Sequence, residues 1–219
     1  MKKMFLIAAL MLSISAMASP LSTAEGEQLI DQLRSASQTC LKAKIDDFSA
    51  RELCETAQNL ERSLFVGGWC YSSAAHTFSP CDPMFKGLLD DVFHRGKTVH
   101  REVVWAYPIG PVSLGETIAL ADLSVRFFPE RKCKLPVVNA AAMRYMERSV
   151  GQSGTYEGCY GRLLGNKIAA TYMSHGQPQS EVFSDHSIVI TKLGTNGTHV
   201  MVIDRLMTLE QMRKNALGN

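Results

Sequence analysis

Beyond its first twenty residues, this chain lacks any run of the roughly 18 apolar residues that a membrane-crossing helix needs. It also lacks a dominant charge: 23 basic residues face 21 acidic ones. A balance so close to neutral argues against nucleic acid as the main partner. No internal repeat and no low-complexity tract is present, which excludes solenoids and disordered linkers. His76, His94, His100, His175 and His199 have no ligand spacing with cysteine or carboxylate, so no metal site is expected and no cofactor is called for.

What the chain does have begins with a leader. Lys2 and Lys3 form a basic start, Phe5 to Leu12 an apolar stretch, and Ala16-Met17-Ala18 a small-x-small site. Residues 1–18 are therefore expected to be a signal peptide cut after Ala18, delivering the chain to the periplasm or the exterior. Loss of Lys2 and Lys3 with the leader brings the two charge signs level. The six cysteines, Cys40, Cys54, Cys70, Cys81, Cys133 and Cys159, fit disulfides in an oxidising compartment. Six can all pair, whereas one catalytic thiol would leave an odd cysteine.

Periodicity divides the mature chain softly near Pro129–Pro136. Residues 19–130 are expected to be a mainly helical region, serving as a pro-segment or for docking. Residues 23–44 read as a helix with Leu29, Ile30, Leu33 and Leu41 on one side. Ser49 and Glu52 make a capping box for a second helix, ended by Gly67-Gly68, and Cys40 and Cys54 lie near the facing ends of the pair. Asp82-Pro83 opens a third helix, and residues 99–107 read as a strand. An easy disulfide joins Cys70 and Cys81, although Gly68-Trp69-Cys70 superficially looks like a thiol-protease nucleophile run.

Residues 131–219 are expected to carry the chemistry. Asn139 is read as the cap of a helix through Met143, Met146 and Val150, and Cys159 as the start of another through Leu163, Leu164, Ile168 and Tyr172. His186 opens one strand, Asp204 closes the next, and Gly194 to Gly197 joins them as a hairpin. With the turn centred on Thr195, His186 lies opposite Asp204 on one face of the sheet. A further capping box, Thr208 to Gln211, opens a last helix.

A thiol at a helix start meets unsatisfied N–H groups and a partial positive charge, which favour the thiolate. A histidine beside it lowers its pKa further, and an aspartate fixes the histidine tautomer. Cys159, His186 and Asp204 are thus the candidate catalytic residues. In the competing reading Cys159 is half of a structural disulfide, for example with Cys133.

The motif Tyr156-Glu157-Gly158-Cys159-Tyr160-Gly161-Arg162, followed by His186 and by Val202-Ile203-Asp204, resembles the bacterial protein-glutaminase (protein-glutamine deamidase) family over about residues 135–217. The resemblance implies an α+β fold with a papain- and transglutaminase-like core, in which a nucleophile helix packs on an antiparallel sheet. It also implies hydrolysis of protein glutamine side chains to glutamate through a Cys159 thioester, on a protein or peptide substrate. Leu163 after Arg162, Ser187-Ile188 after the histidine and Arg205 after the aspartate depart from the family pattern. The alternatives are a transglutaminase or peptidase with the same triad, or a non-enzymatic, disulfide-stabilised secreted interaction protein.

Overall fold

The structure is a computed structural model and describes residues 20–42, 48–83, 102–151, 154–194 and 197–217. The leader and the helix expected after Asp82-Pro83 lie outside the described residues. Two helices come first, α1 (Thr23–Lys42) and α2 (Phe48–Val66), followed by a two-stranded hairpin, β1 (Trp69–Ser72) and β2 (Thr77–Pro80). Nine more strands follow: β3 (Val103–Pro108), β4 (Thr117–Ala119), β5 (Leu123–Lys132), β6 (Arg144–Ser149), β7 (Thr155–Leu163), β8 (Lys167–Ser174), β9 (Gln177–Ser184), β10 (Val189–Leu193) and β11 (His199–Arg205). Helix α3 (Leu209–Leu217) ends the fold.

The helices start where their side chains can cap them. Ser22 Oγ accepts from the Glu25 backbone N–H, while Glu25 Oε2 accepts from the Ser22 N–H at 2.9 Å, a reciprocal box on α1. The Ser22 hydroxyl, which donates to Glu25 Oε2 at 2.7 Å, and after it the Ser22 N–H hold the Glu25 carboxyl below its ordinary pKa. Thr208 and Gln211 make the same exchange at the start of α3. The α1–α2 hairpin is crosslinked by Cys40–Cys54. Leu29, Ile30 and Leu33 of α1 pack with Leu64 of α2 and with Trp69 and Phe78 of the β1–β2 hairpin.

Strands β3 to β11 form one antiparallel sheet in the order β4-β11-β10-β3-β5-β6-β7-β8-β9. Five steps separate β3 from β9, about 24 Å in a flat sheet. Yet the Tyr107 and Phe183 rings, on β3 and β9, are 5.3 Å apart, and Phe127 of β5 meets Phe183 at 5.4 Å. The sheet is therefore rolled. Trp105, Tyr107, Phe127, Tyr160, Tyr172 and Phe183 point into the roll with Val125, Met146 and Ile168. On the other side, Phe65 of α2 joins Ala106, Ile118, Val189, Val200 and Val202. The alternation of Trp105 and Tyr107 with Val104 and Ala106 sends the two sets of side chains to opposite faces of β3.

This architecture corrects the expected fold class. Among the described residues before 130 the mainly helical region is not seen, because after α1 and α2 they supply β1 to β4 and most of β5. The papain-like arrangement is also overturned, since Cys159 lies inside strand β7 and does not start a helix. The residues expected to form helices around Met146 and after Cys159 are β6, β7 and β8. Asn139 adopts left-handed backbone with φ 61° and caps only the short turn Ala140–Ala142, without a side-chain bond. The soft boundary at 130/131 falls inside β5, and β3 sits between β10 and β5, so both stretches share one sheet.

Local chemistry explains the strands. Gly165 and Asn166 both have positive φ, as do His175 and Gly176. Consecutive left-handed residues build the tight turns that suit the strand twist, and they join β7 to β8 and β8 to β9. Between those turns Ile168, Ala170 and Tyr172 are buried at every second position. Gly158 is in extended backbone where a Cβ would lie 2.7 Å from Met146 Sδ and from the Thr171 carbonyl oxygen. The residue there must be glycine because of packing within the sheet.

Candidate functional site

The three residues proposed from sequence occupy three different settings. Cys159 lies in the middle of β7, paired with Tyr145 on β6 and Thr171 on β8. It is fully buried and bonded to Cys133, just beyond β5. Its sulfur is therefore neither at a helix N-terminus nor a thiol. The other cysteines pair as Cys40–Cys54 and Cys70–Cys81, so all six are in disulfides.

His186 is exposed and belongs to a short helical turn, Asp185–Ser187, at the entry to β10. Its Nδ1 is 2.6 Å from Ser184 Oγ. Asp204, near the end of β11, forms an ion pair with Arg62 of α2 and accepts from the Arg205 N–H at 2.7 Å. The hairpin register differs from the symmetric one: Ile190, not His186, stands opposite Asp204, and a bulge interrupts the pairing between Ile190 and Thr191. The structure thus brings none of the three side chains onto another.

The ion pairs near Asp204 tie α2 to the sheet. Buried Glu61 accepts from the Leu114 N–H at 2.7 Å and from Arg205 Nη2 at 3.2 Å. Arg205 Nη2 also donates to the Val112 carbonyl at 3.0 Å. This network fixes the loop between β3 and β4 against the C-terminal end of β11. A second buried carboxylate, Asp185, pairs with exposed Arg162, whose guanidinium lies 5.8 Å from the Trp105 ring centre.

His186 and Arg205 share a cavity of about 320 Å³, lined also by Tyr107, Pro108, Pro111 and Val112. It is built by the β3–β4 loop on one side and by the starts and ends of β10 and β11 on the other. Gly110, with φ 101°, gives the loop its bend. Arg205 was visible in the sequence only as a departure from the family pattern. Its position beside the cavity depends on the pairing of β10 with β3, which no local motif encodes. A larger hollow of about 500 Å³ lies beside Cys70–Cys81 and is lined by Ser72, Ser79, Asp82 and Gly115.

The remaining electrostatics are those of a packed protein. Burial, before any charge, pushes the Tyr145, Tyr160 and Tyr172 phenols up, so they stay neutral. Arg126 is buried and pairs with Glu147 at 3.0 Å. Among the described residues no cluster of three His, Cys, Asp or Glu could hold a metal ion. No helix among them is long and apolar enough to cross a membrane.

The chain matches no family model, no curated protein and no solved structure. The likeness of Tyr156–Arg162, His186 and Asp204 to protein-glutaminases therefore rests on those residues alone.

Proposed function

We propose that this protein is a non-enzymatic, disulfide-stabilised interaction protein that works by binding, in the periplasm or outside the cell. The observation that carries this reading is the pairing of all six cysteines, Cys159 included. A glutamine deamidase, transglutaminase or peptidase of the expected type needs a thiolate, and a sulfur bonded to Cys133 in a buried strand supplies none. Three disulfides are compatible with an oxidising compartment, and a leader cut after Ala18 would deliver the chain there.

The test is a thiol count. The non-reduced exported protein, treated with iodoacetamide and mapped by mass, should carry no label on any cysteine. N-terminal sequencing should find Ser19 first. One labelled thiol at Cys159, together with ammonia release from a glutamine-rich protein, would overturn the reading in favour of the deamidase.

A further inference from the structure

We infer that the cavity between the β3–β4 loop and the ends of β10 and β11 binds a short apolar monocarboxylate. The inference rests on reading the chain as a binding protein and deepens it by naming a ligand class. Two kinds of wall meet in this cavity. Tyr107, Pro108, Pro111 and Val112 provide ring, pyrrolidine and methyl surface, while Arg205, His186 and Ser187 provide polar groups. The exposed lining is more polar than apolar, so the ligand it matches is small, with a dominant polar head and a short apolar body.

The polar side is made of donors. A guanidinium is a permanent cation with five N–H donors and no acceptor. Among the described residues the acceptors for Arg205 Nη2 are Glu61 and the Val112 carbonyl, and Nε is buried with no partner. In His186, Nδ1 is 2.6 Å from Ser184 Oγ; when that hydroxyl donates to Nδ1, Nε2 carries the ring hydrogen and can donate to a ligand. Ser187 adds a hydroxyl. Donors gathered against an apolar wall call for an acceptor group.

The charge balance selects which acceptor. Glu61 already offsets one unit of positive charge on Arg205, at 3.2 Å. Asp204, the neighbouring carboxylate, is offset in turn by Arg62. Among the described residues, Arg205 is the one lysine or arginine lining the cavity, and Glu61 already faces it. A dianionic phosphate would add two negative charges beside that carboxylate, whereas a monoanion adds one and shares the guanidinium with Glu61. Carboxylate oxygens accept from arginine in the plane of the fork, with charge-assisted hydrogen bonds. The cavity volume of about 320 Å³ equals the share of about ten waters in the liquid. That is room for one small acid, or for the last residue of a peptide entering by its C-terminus.

The experiment uses the full disulfide-bonded chain, labelled with ¹⁵N. It is titrated separately with 4-methylpentanoate, 4-methylpentanamide, the tripeptide Gly-Gly-Leu and that tripeptide's C-terminal amide. Both carboxylates are expected to shift the amide signals of Gly110, Val112 and Ser187 saturably. Each amide should bind at least about tenfold more weakly, as expected for loss of a charge-assisted contact. The tighter of the two carboxylates tells whether a free acid or a peptide terminus is the better source.

Arg205→Gln should weaken binding by about tenfold. Because Arg205 also holds Glu61, the exposed His186→Phe is the second variant, expected to weaken both carboxylates several-fold while the dispersed spectrum is kept. Equal binding of acid and amide would overturn the inference. So would the absence of shifts at these residues up to roughly 10 mM ligand, where binding is too weak to be specific. Complete disulfides with no carboxylate binding would remove this inference alone; a free Cys159 thiol would remove the reading beneath it.

Discussion

Removing the Cys133–Cys159 bridge should destabilise the protein by about 3.5 kcal/mol. The bridge spans 26 residues, and the loop-closure entropy of an unfolded chain with a loop of that length gives this figure at 25 °C. It is the largest of the three, since spans of 14 and 11 residues correspond to about 3.0 and 2.8 kcal/mol. For a chain of this size each kcal/mol lowers the melting temperature by about 2–4 °C, so a fall of about 7–14 °C is expected. Cys159→Ala and Cys133→Ala should cost nearly the same, and the double variant little more than either, because all three remove one shared constraint. Urea unfolding of the non-reduced proteins measures each value. Two single variants within about 0.5 kcal/mol of the parent, the ordinary range of an inconsequential substitution, would refute the structural role and return Cys159 to the list of nucleophiles.

The other predictions concern the packing around the sheet. Glu61→Gln should cost about 3 kcal/mol by urea unfolding, because it removes the charge of a buried carboxylate that faces Arg205. Asp204→Asn should cost less than about 1 kcal/mol, since the pair with Arg62 is open to water, with side chains 36% and 41% exposed. Gly26→Ala, normally favourable in a helix, should destabilise by about 1–3 kcal/mol, because the new Cβ would lie 2.1 Å from two Trp69 ring carbons. Stability should be intact below the ordinary tyrosine value of 10.0 and fall as the pH rises past it, because burial raises the folded-state values of Tyr145, Tyr160 and Tyr172. An ultraviolet titration should show phenolate from these three only as the protein unfolds.

The sequence made the helical ends of the chain legible because their signals are local. The box at Ser22–Glu25 was not read from the sequence, and α2 starts at Phe48, one residue before the expected cap Ser49. The box at Thr208–Gln211 and the break at Gly67-Gly68, by contrast, each act within a few residues. So does the Gly194–Gly197 turn, although the exact register does not, because a bulge near Ile190 shifts the partners. The middle of the chain misled for a definite reason. Ile168 and Tyr172 are four apart, which satisfies one face of a helix and one face of a strand equally. The buried Ala170 between them is the discriminating residue, and alanine says little about either state. His175-Gly176 is similarly ambiguous, since left-handed residues end helices and turn hairpins alike. The site was least legible of all. Cys159 reads as a nucleophile only if a helix starts there, and Arg205 reaches its cavity through strand pairings more than eighty residues long in sequence, such as Val189 with Ala106.

That central place of β3 has a consequence for how the chain comes to be folded. One neighbour, β5, follows soon after it in sequence, but the other, β10, is drawn from the C-terminal end. A chain emerging N-terminus first has α1, α2 and the Cys40 and Cys70 loops early, while β3 keeps an open edge until nearly all residues are out. Closing loops of that size before any contact repays them makes folding slow. During that delay Val104 and Trp105 sit on a strand with one open edge, the kind of segment that recruits other chains. Acquisition of the last two strands is thus the step at which the newly made protein becomes safe from aggregation, and a chain shortened before β10 should accumulate as insoluble material rather than as a smaller folded unit.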